Sequence, residues 1–343
     1  MYFSTEKSSH SHAVALREPP LKHYFIIQQL TINMQNKKIL VVGSISWDVI
    51  FSVKGRINDN IHIKKGKLGM QSMMFVAGDK KEFYGGTGAN ISYGAGILGG
   101  KPVLFSLAGK DFEGDFKNHL KKSGVDLKVT IDKKGFTADF YGITDDVGEQ
   151  IGIWQPNAYS EIEKIKLTDT ISISEIKKFG VAIFSPGSPK SIQKHMQEFK
   201  KHADKEATVI FDPGQVIAYF SKQDFLKCLK LCDIFISNEV EMKQAEKIIG
   251  KKLPDLLNHL GKIVIETKSK EGSIIYAPLD VLKVPAVKPK KVLDSTGAGD
   301  AYRAGLIYGI SKEMPLEEAC FLGAKMATSS IEHLGAEGYE KKA

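Results

Sequence analysis

The sequence predicts an α/β fold: a three-layer α/β/α sandwich around a mostly parallel central sheet, with a small β-sheet lid. Six short apolar runs alternate along the chain with longer amphipathic stretches. Unbroken runs of Ile, Val and Phe are typical of parallel strands that helices cover on both faces. The predicted strands are residues 39–42, 103–107, 181–184, 208–211, 234–237 and 263–267. Ligands of such sheets bind beyond the carboxyl ends of the strands.

Two segments break this rhythm and predict the lid. Residues 49–83 and 137–154 contain alternating apolar and polar side chains, as in Phe140-Tyr141-Gly142-Ile143-Thr144. Such alternation is typical of antiparallel strands with one face in solvent. Both segments lie beside the expected ligand wall, so we predict a lid that excludes water from it.

The chain is expected to form one domain over residues 37–343, preceded by a tail. Residues 1–36 are rich in Ser, His and Lys and lack the order of a secretory signal. Met34 is followed almost at once by the first strand, as in a natural protein start. We therefore expect residues 1–36 to be a disordered tail or to include a mis-assigned start.

Composition argues against nucleic-acid and membrane partners. The net charge of +8 comes from lysines scattered among acidic residues, with only three arginines. No apolar run reaches the ~18 residues that cross a bilayer. Cys228, Cys232 and Cys320 are too few and too poorly spaced for a disulfide framework or a zinc site. We expect them in the core of a cytoplasmic protein.

The stretch Asp294-Ser295-Thr296-Gly297-Ala298-Gly299-Asp300 predicts a loop that leads into a helix. Unpaired N–H groups at a helix start attract anions, and Gly297, Ala298 and Gly299 let a phosphate approach the backbone. A phosphoryl-transfer enzyme needs a base beside such a site for the attacking hydroxyl, so Asp300 is the candidate catalytic residue. The alternative is a glycine-rich turn in which Asp300 caps the helix.

A second cluster, Tyr84-Gly85-Gly86-Thr87-Gly88-Ala89-Asn90, precedes a helix of small residues. Gly85 and Gly86 would let a polyhydroxylated substrate reach the backbone, and Asn90 can both donate and accept hydrogen bonds. Asp48 follows the first strand and can accept from two neighbouring sugar hydroxyls. The alternative for the glycines is close packing of the helix on the sheet.

Two further patterns have ordinary structural explanations. Gly94-Ala95-Gly96-Ile97-Leu98-Gly99 matches a dinucleotide fingerprint, but it lies late in a helix and precedes a strand, which is the wrong order. Asn238 and Glu241 follow a strand and either order water around Mg²⁺ or cap the next helix. No Walker A sequence is present, so a P-loop site is not expected.

Together these residues resemble the ribokinase-like (phosphofructokinase-B type) carbohydrate kinase family over residues 37–339. Residues 294–300 are similar to its second signature, with Ser295 where Thr is commoner. The remaining matches are residues 85–90, 109–112 and 124–126 for the first signature, 238–241 for the NxxE motif, and 267–272 for the strand end that holds ATP. In the last of these, Ser269 stands where Gly is more usual.

The resemblance implies an ATP-dependent phosphotransferase with an alcohol group as acceptor. Asp300 would be the base, and the amides of Gly297, Ala298 and Gly299 would form the anion hole. The residues implied for the substrate are Asp48, Gly85, Gly86 and Asn90; those implied for ATP and Mg²⁺ are Asn238, Glu241, Thr267 and Gly272. No side chain is assigned as a direct metal ligand, and activation by a monovalent cation such as K⁺ stays open.

The substrate is expected to be a nucleoside such as adenosine, phosphorylated on its primary hydroxyl. Residues 299–305, 137–140, 144–150 and 331–335 are similar to the adenosine-kinase-like branch. Phe140, Tyr141 and Trp154 offer faces for a base or for packing within the lid. A free sugar such as ribose is the alternative, a sugar phosphate ranks third, and a catalytically silent nucleoside or sugar sensor is the non-enzyme alternative. A monomer or a homodimer is expected.

Overall fold

The computed structural model describes residues 38–60, 63–64, 67–68 and 74–340. The expectation for residues 1–36 lies outside these ranges, and the predicted lid segment 49–83 is described in part. Within the described ranges, no helix has the length and apolar character needed to cross a membrane.

A nine-stranded sheet lies at the centre of the described structure. Its strands, in spatial order, are β15 (Asp280–Val284), β14 (Ser273–Ala277), β13 (Ile263–Thr267), β12 (Ile234–Asn238), β11 (Thr208–Phe211), β10 (Phe179–Phe184), β1 (Lys38–Val42), β6 (Val103–Gly109) and β7 (Asp126–Asp132). The strands from β13 to β7 pair in parallel, whereas β14 and β15 form an antiparallel edge. All six predicted strands and the mostly parallel sheet are confirmed.

Helices cover both faces of this sheet, which confirms the three layers. The α-helices are α1 (Thr87–Ile97), α2 (Asp115–Lys122), α3 (Ile173–Ile176), α4 (Pro189–His202), α5 (Lys222–Leu231), α6 (Glu239–Ile249), α7 (Leu253–His259), α8 (Ala298–Ser311) and α9 (Leu316–Ile331). Short 3₁₀ helices lie at Ile57–Asn60, Lys110–Phe112, Asn157–Lys164, Leu167–Asp169, Gly214–Tyr219 and Ser269–Glu271. Leu40 and Val42 of β1 pack with α4 to α7, whereas Ile39 and Val41 pack with α1, α2, α8 and α9.

The two predicted lid segments supply a separate four-stranded sheet, which we call the small sheet. Its order is β5 (Ala77–Gly85), β2 (Ser46–Val53), β8 (Ala138–Thr144) and β9 (Gln150–Gln155). A two-stranded ladder of β3 (Ile63–Lys64) and β4 (Lys67–Leu68) lies between β2 and β5 in the chain.

The expectation of purely antiparallel pairing in the small sheet is wrong in one place, because β2 pairs with β8 in parallel. The outer pairs, β2 with β5 and β8 with β9, are antiparallel as predicted. Strands β2 and β8 follow β1 and β7, two parallel strands of the central sheet, so both leave it from the same edge and run in the same direction. Local alternation cannot reveal that relation, since it is equally compatible with either direction.

All three cysteines are free and buried, as predicted. Cys228 lies within α5, and Cys232 follows the end of that helix. Burial raises the pKa of Cys228 to about 12. These thiols are therefore inert core side chains.

The order in which the chain adds strands to the sheet reverses between β1 and β10, which are parallel neighbours. The chain continues from β1 towards β6 and β7 on one side, and from β10 towards β11, β12 and β13 on the other. Ser44 and Ser185 lie just beyond these two strands, and Thr87 Oγ1 lies 3.3 Å from Ser44 Oγ and 3.2 Å from Ser185 Oγ. In open α/β sheets this crevice is where ligands bind.

Small residues bring α1 and α8 together above that crevice. A Cβ at Gly94 would lie 2.6 Å from both Ala304 Cβ and Tyr339 Oη. A Cβ at Gly96 would lie 2.4 Å from the carbonyl oxygen of Ser123. Close packing therefore explains Gly94 and Gly96 of the apparent dinucleotide fingerprint, whereas Gly99 has a φ of 86° and no heavy atom within 4 Å of an added Cβ, so its backbone conformation favours glycine.

We expect Gly94→Ala to destabilise the protein by about 1–3 kcal/mol, because the overpacked contact outweighs the higher helix propensity of Ala. Thermal unfolding would measure the change. Gly78→Ala in β5 is the matched control, since the nearest heavy atom to its added Cβ lies 3.8 Å away. Equal unfolding temperatures for the two variants would contradict this account.

Candidate active site

The candidate anion loop turns into α8 at Gly297, one residue before the helix begins. Gly297 is left-handed, with φ of 77°, and a Cβ on it would lie 2.4 Å from Ala336 Cβ. Both the backbone conformation and the close approach therefore require glycine. Asp294 holds the loop in place, since Oδ1 accepts from Thr296 N at 2.9 Å and Oδ2 accepts from Gly335 N at 3.0 Å.

The first turn of α8 keeps backbone N–H groups available for an anion. Gly297 occupies the N-cap position and has no side chain with which to cap the helix. A Cβ at Gly299 would contact only Arg303 Nη1, at 3.2 Å, so this part of the turn is open. Ala298 N–H donates to the carbonyl oxygen of Ser295 at 3.3 Å. The turn therefore offers an anion the positive end of a 14-residue helix and a backbone that no side chain caps.

Asp300 lies in this first turn but does not cap the helix. Its Oδ2 accepts a hydrogen bond from Asn90 Nδ2 at 2.8 Å, which joins α8 to α1. Its surface stays partly accessible, although protein surrounds the carboxylate on its other sides. Burial raises its pKa to about 7, with the hydrogen bond from Asn90 and the charge of Arg303 acting in the opposite direction. A carboxylate with this pKa is well matched to proton transfer near neutral pH.

In the side-chain amide of Asn90, the nitrogen has a hydrogen-bond partner and the oxygen has none among the described residues. Nδ2 donates to Asp300, whereas Oδ1 is buried without a hydrogen-bond partner among the described residues. A buried acceptor of this kind needs a donor from a ligand or a water. The position of Oδ1 beside Asp300 makes it a natural contact for a substrate hydroxyl.

Asp48 is the second buried carboxylate at the site. It is 6% exposed, and its Oδ1 accepts from Ser46 Oγ at 2.7 Å. Burial, together with the negative charges of Asp300 and Glu337, raises its pKa to about 7, and the hydrogen bond from Ser46 acts in the opposite direction. Asp300 is near enough for its charge to raise the pKa of Asp48. The sequence assigns the two carboxylates to the same site.

Gly85 and Gly86 make room for the elements around Asp48. A Cβ at Gly85 would lie 2.2 Å from Asp48 Cγ. Gly86 has φ of 93°, and its Cβ would lie 2.6 Å from Ser46 N. The packing explanation therefore holds for both glycines.

A buried ion pair lies directly behind Asp300, and sequence reasoning missed it. Arg303 is 6% exposed and Asp212 is 2% exposed. Arg303 Nη2 donates to Asp212 Oδ1 at 2.8 Å, its Nε donates to Asp212 Oδ2, and its Nη1 donates to the carbonyl of Gly299 at 3.1 Å. The polar Asp212-Pro213-Gly214 end of β11 was the only sequence signal available.

Asn238 and Glu241 form a capping box at the start of α6. Asn238 Oδ1 accepts from Glu241 N at 2.9 Å, and Glu241 Oε2 accepts from Asn238 N at 2.9 Å. Burial raises the pKa of Glu241, and the charge of Arg303 acts against that rise. The capping alternative is thus correct, and it leaves the Glu241 carboxylate close to the buried ion pair.

Thr267 and Gly272 flank the turn between β13 and β14. Thr267 is opposite Asn238 in the sheet, so both residues end neighbouring parallel strands at the same edge. Gly272 has φ of 89°, and a Cβ on it would lie 2.1 Å from the carbonyl oxygen of Val284. Gly272 therefore lets the turn pack closely against the segment that follows β15.

The acidic side chains near the carboxyl ends of the central strands could balance the charge of a cation that is bound to phosphate groups. Asp212, Glu241 and Asp300 interact with a single buried cation, Arg303, so carboxylates are in excess. Among the described residues, no group of three or more His, Cys, Asp or Glu side chains is arranged to hold a metal ion. A magnesium ion held through phosphate oxygens and water fits this arrangement better than one held by a cage of side chains.

Two of the three candidate aromatic side chains share a face of the small sheet with Asp48. Asp48 is opposite Phe140 in the β2–β8 pair, and Phe140 is opposite Trp154 in the β8–β9 pair. Opposite residues point to the same face of a sheet. Tyr141 points the other way and lines a cavity of about 400 Å³ with Trp47 and Phe51, so the expectation that it could face the site is wrong.

The Phe140 ring lies across its neighbouring strand. A Cβ at Gly152 would lie 2.5 Å from Phe140 Cε2, and a Cβ at Gly142 would lie 3.2 Å from Phe140 Cε1. The two glycines face each other between β8 and β9. This glycine pair lets the ring lie close to the sheet.

Comparison with known proteins agrees with this geometry. Residues 36–342 match the pfkB family of carbohydrate kinases. The chain belongs to that family. It is therefore an ATP-dependent phosphotransferase of the carbohydrate and nucleoside kinase type, and the resemblance seen in the sequence is confirmed.

Relatives within the family include nucleoside kinases. One from Methanothermobacter thermautotrophicus is 30% identical over 264 residues, covering 75% of this chain and 81% of the relative. One from Methanocaldococcus jannaschii is 27% identical over 311 residues, covering 88% and 92%. The structure of the Burkholderia thailandensis nucleoside kinase in complex with ADP-inosine is 25% identical, covers 89% and 92%, and has a TM-score of 0.75.

The raised pKa values of Asp48 and Asp300 predict how the stability of this pfkB-family chain depends on pH. Both pKa values lie near 7 in the folded protein and near 3.8 in the unfolded chain, so the folded state binds more protons between these values. We expect the free energy of unfolding to rise as the pH falls from 8 to about 5, by on the order of 1–3 kcal/mol.

Thermal unfolding of the ligand-free protein across this pH range would measure the effect. Asp48→Asn should raise the unfolding temperature at pH 8 and weaken the pH dependence. Asp79→Asn, on exposed β5, is the matched control and should leave the profile unchanged. An unaltered profile in Asp48→Asn would show that this carboxylate is ionised without penalty.

Proposed function

We propose that this protein is an ATP-dependent nucleoside kinase, which transfers the γ-phosphoryl group of ATP to the primary hydroxyl of a nucleoside such as adenosine. The observation that carries the proposal is the juxtaposition of Asp300 with the first turn of α8, which no side chain caps, and with the unpartnered Oδ1 of Asn90. These groups are a base, an anion site and a hydroxyl contact within one cleft.

Asp300 is the base in the proposed mechanism. Its carboxylate accepts the proton of the attacking hydroxyl as the oxygen bonds to the γ-phosphorus and the bond to ADP breaks. Asn90 holds the carboxylate through its Nδ2, so one oxygen is oriented before substrate arrives. The amides of the turn at Gly297, Ala298 and Gly299 stabilise the charge on the transferring group.

Asp48 and Asn90 recognise the sugar. Asp48 accepts from neighbouring hydroxyls with the carboxylate oxygen that Ser46 leaves free, and Asn90 Oδ1 accepts from another hydroxyl. Gly85 keeps the path to Asp48 open, since any larger residue there would overlap the carboxylate. Alignment of the hydroxyl with the phosphoryl group supplies much of the rate enhancement.

Phe140 and Trp154 support a nucleoside rather than a free sugar as the substrate. Both side chains share the Asp48 face of the small sheet, at a place where a base attached to the bound ribose can stack. The nucleoside kinases among the relatives support the same choice. We assign the small sheet as a lid that covers the bound nucleoside and excludes water.

Asn238, Glu241, Thr267 and Gly272 are proposed to line the ATP side of the cleft. Mg²⁺ bound to the phosphates would neutralise charge as the phosphoryl group moves. Glu241 and Asn238 would orient the water around it while they cap α6. The free, buried cysteines support a cytoplasmic location, where ATP is available.

The substrate class is tested by ADP release with MgATP and adenosine, inosine, guanosine, cytidine, ribose, fructose or fructose 6-phosphate. We expect strong turnover with at least one nucleoside and little with the free sugars. Preference for a free or phosphorylated sugar would overturn the substrate but keep the kinase. Absence of turnover with any acceptor would favour the silent sensor.

Phe140→Ala is expected to raise the nucleoside KM about tenfold with little change in kcat, because a stacking contact of ~1–1.5 kcal/mol is lost in both ground and transition states. Tyr141→Ala is the matched control, since it removes a neighbouring ring from the opposite face of the same strand. Equal effects of the two substitutions would argue against stacking on Phe140.

Asp300→Asn is expected to lower kcat by ~10²–10⁴-fold, because the amide cannot accept the proton. Nucleoside binding should persist. It can be followed by intrinsic fluorescence, since both tryptophans of the chain, Trp47 and Trp154, lie in the small sheet. Near-normal turnover in Asp300→Asn would exclude this carboxylate as the base.

A further inference from the structure

The mechanism above does not use Arg303, although its position is unusual. Among the arginines and lysines whose burial the structure describes, it is the only buried one, and it lies one helical turn after Asp300. Burial of a guanidinium is costly unless it is paired and hydrogen-bonded. The three contacts of Arg303 satisfy that requirement, so the surroundings are built to hold it.

The contacts of Arg303 connect two parts of the active site. Its guanidinium donates hydrogen bonds to both carboxylate oxygens of Asp212, which follows β11 in the central sheet. Its remaining nitrogen donates to the carbonyl of Gly299, in the turn that carries the anion-binding amides. The guanidinium thus fixes the first turn of α8 relative to the end of β11.

The same guanidinium acts electrostatically on Asp300. The positive charge of Arg303 lowers the pKa of Asp300, whereas the negative charges of Asp212 and Glu241 raise it. Asp48 also interacts with Asp300 across the cleft. Without Arg303, only the hydrogen bond from Asn90 would oppose burial and the neighbouring carboxylates, which favour the protonated form of Asp300.

We propose that Arg303 is a positioning residue for phosphoryl transfer, which orients the anion-binding turn through Gly299 and keeps the base Asp300 ionised. The inference rests on the proposed role of Asp300. Asp212 orients Arg303 and sets how much of its charge Asp300 experiences. Arg303 therefore has two separable functions. Orientation of the turn needs the hydrogen-bonding geometry of its guanidinium group, which we call its fork, and ionisation of Asp300 needs its positive charge.

Three substitutions separate these functions. Arg303→Gln removes the charge and the fork, Arg303→Lys keeps the charge without the fork, and Asp212→Asn removes the opposing negative charge. The rate of the chemical step would be measured in single turnovers with saturating MgATP and nucleoside between pH 5 and pH 9. Saturation keeps Asp48 in contact with substrate, so its titration contributes least to the profile.

We expect the acidic limb of the pH–rate profile to move in one direction in Arg303→Gln and in the opposite direction in Asp212→Asn. Arg303→Gln should move it up by about one pH unit, a roughly tenfold loss of rate at pH 6, because Asp300 loses its cation. Asp212→Asn should move it down, because Asp300 loses a neighbouring negative charge. Arg303→Lys should leave the limb near its wild-type position, with a plateau at least tenfold lower because the contact to Gly299 is lost.

A purely structural ion pair gives a different result. All three variants would then lower the unfolding temperature and scale the rate equally at every pH, with no movement of the limb, and the proposal would be wrong. Should Arg303→Gln fail to fold, the opposite movement in Asp212→Asn and the unmoved limb in Arg303→Lys still decide the question. The double variant Asp212→Asn with Arg303→Gln restores the charge balance and should return the limb towards wild type.

The outcome also distinguishes this inference from the proposed function. If Asp300→Asn keeps the acidic limb, then the limb does not belong to Asp300 and the base is misassigned. If Asp300→Asn abolishes the limb but none of the Arg303 variants moves it, the base is correct and only the role of Arg303 fails.

Discussion

The hydrogen bond between Asn90 and Asp300 depends on how closely α1 approaches α8, and the rest of the site is organised around that approach. Gly94 and Ala304 leave no room for a larger side chain between the two helices. The helices carry the two signature clusters, one at the amino end of each. Close packing therefore brings a hydroxyl-binding amide within 2.8 Å of the proposed base. A cleft assembled in this way is rigid before substrate arrives, which is the condition for effective alignment.

The site concentrates charges that oppose folding. Burial and neighbouring negative charges raise the pKa values of Asp48 and Asp300 to about 7. Uncharged side chains at these two positions would make the folded protein more stable. The two hydrophobic cores, one on each face of the central sheet, supply the stability that offsets the cost of the buried carboxylates. Hydrogen bonds that a ligand donates to Asp48 would favour its ionised form, so we expect substrate binding to lower the pKa of Asp48.

The sequence was sufficient for the features that local pattern encodes. Unbroken apolar runs located the six parallel strands, and the small-residue run at 294–300 located the turn into α8 where we propose that an anion binds. The sequence was insufficient for features that depend on contacts between residues far apart in the chain. Asp212 and Arg303 are 91 residues apart, and nothing in either neighbourhood signals the other. The direction of β2 against β8 is likewise a property of two chain crossings, not of either strand, and the same pairing decides which face Tyr141 occupies.

The architecture separates chemistry from recognition of the base. Asp300, the anion turn and Arg303 lie on α8 and are fixed to the central sheet through Asp212. Phe140 and Trp154 lie on the small sheet, which packs against Phe116 of α2 through Trp47 and Tyr84. Changes on the inner face of the small sheet can therefore alter which base is accepted without disturbing the phosphoryl-transfer groups. A fold divided in this way accounts for one family that contains kinases of both sugars and nucleosides.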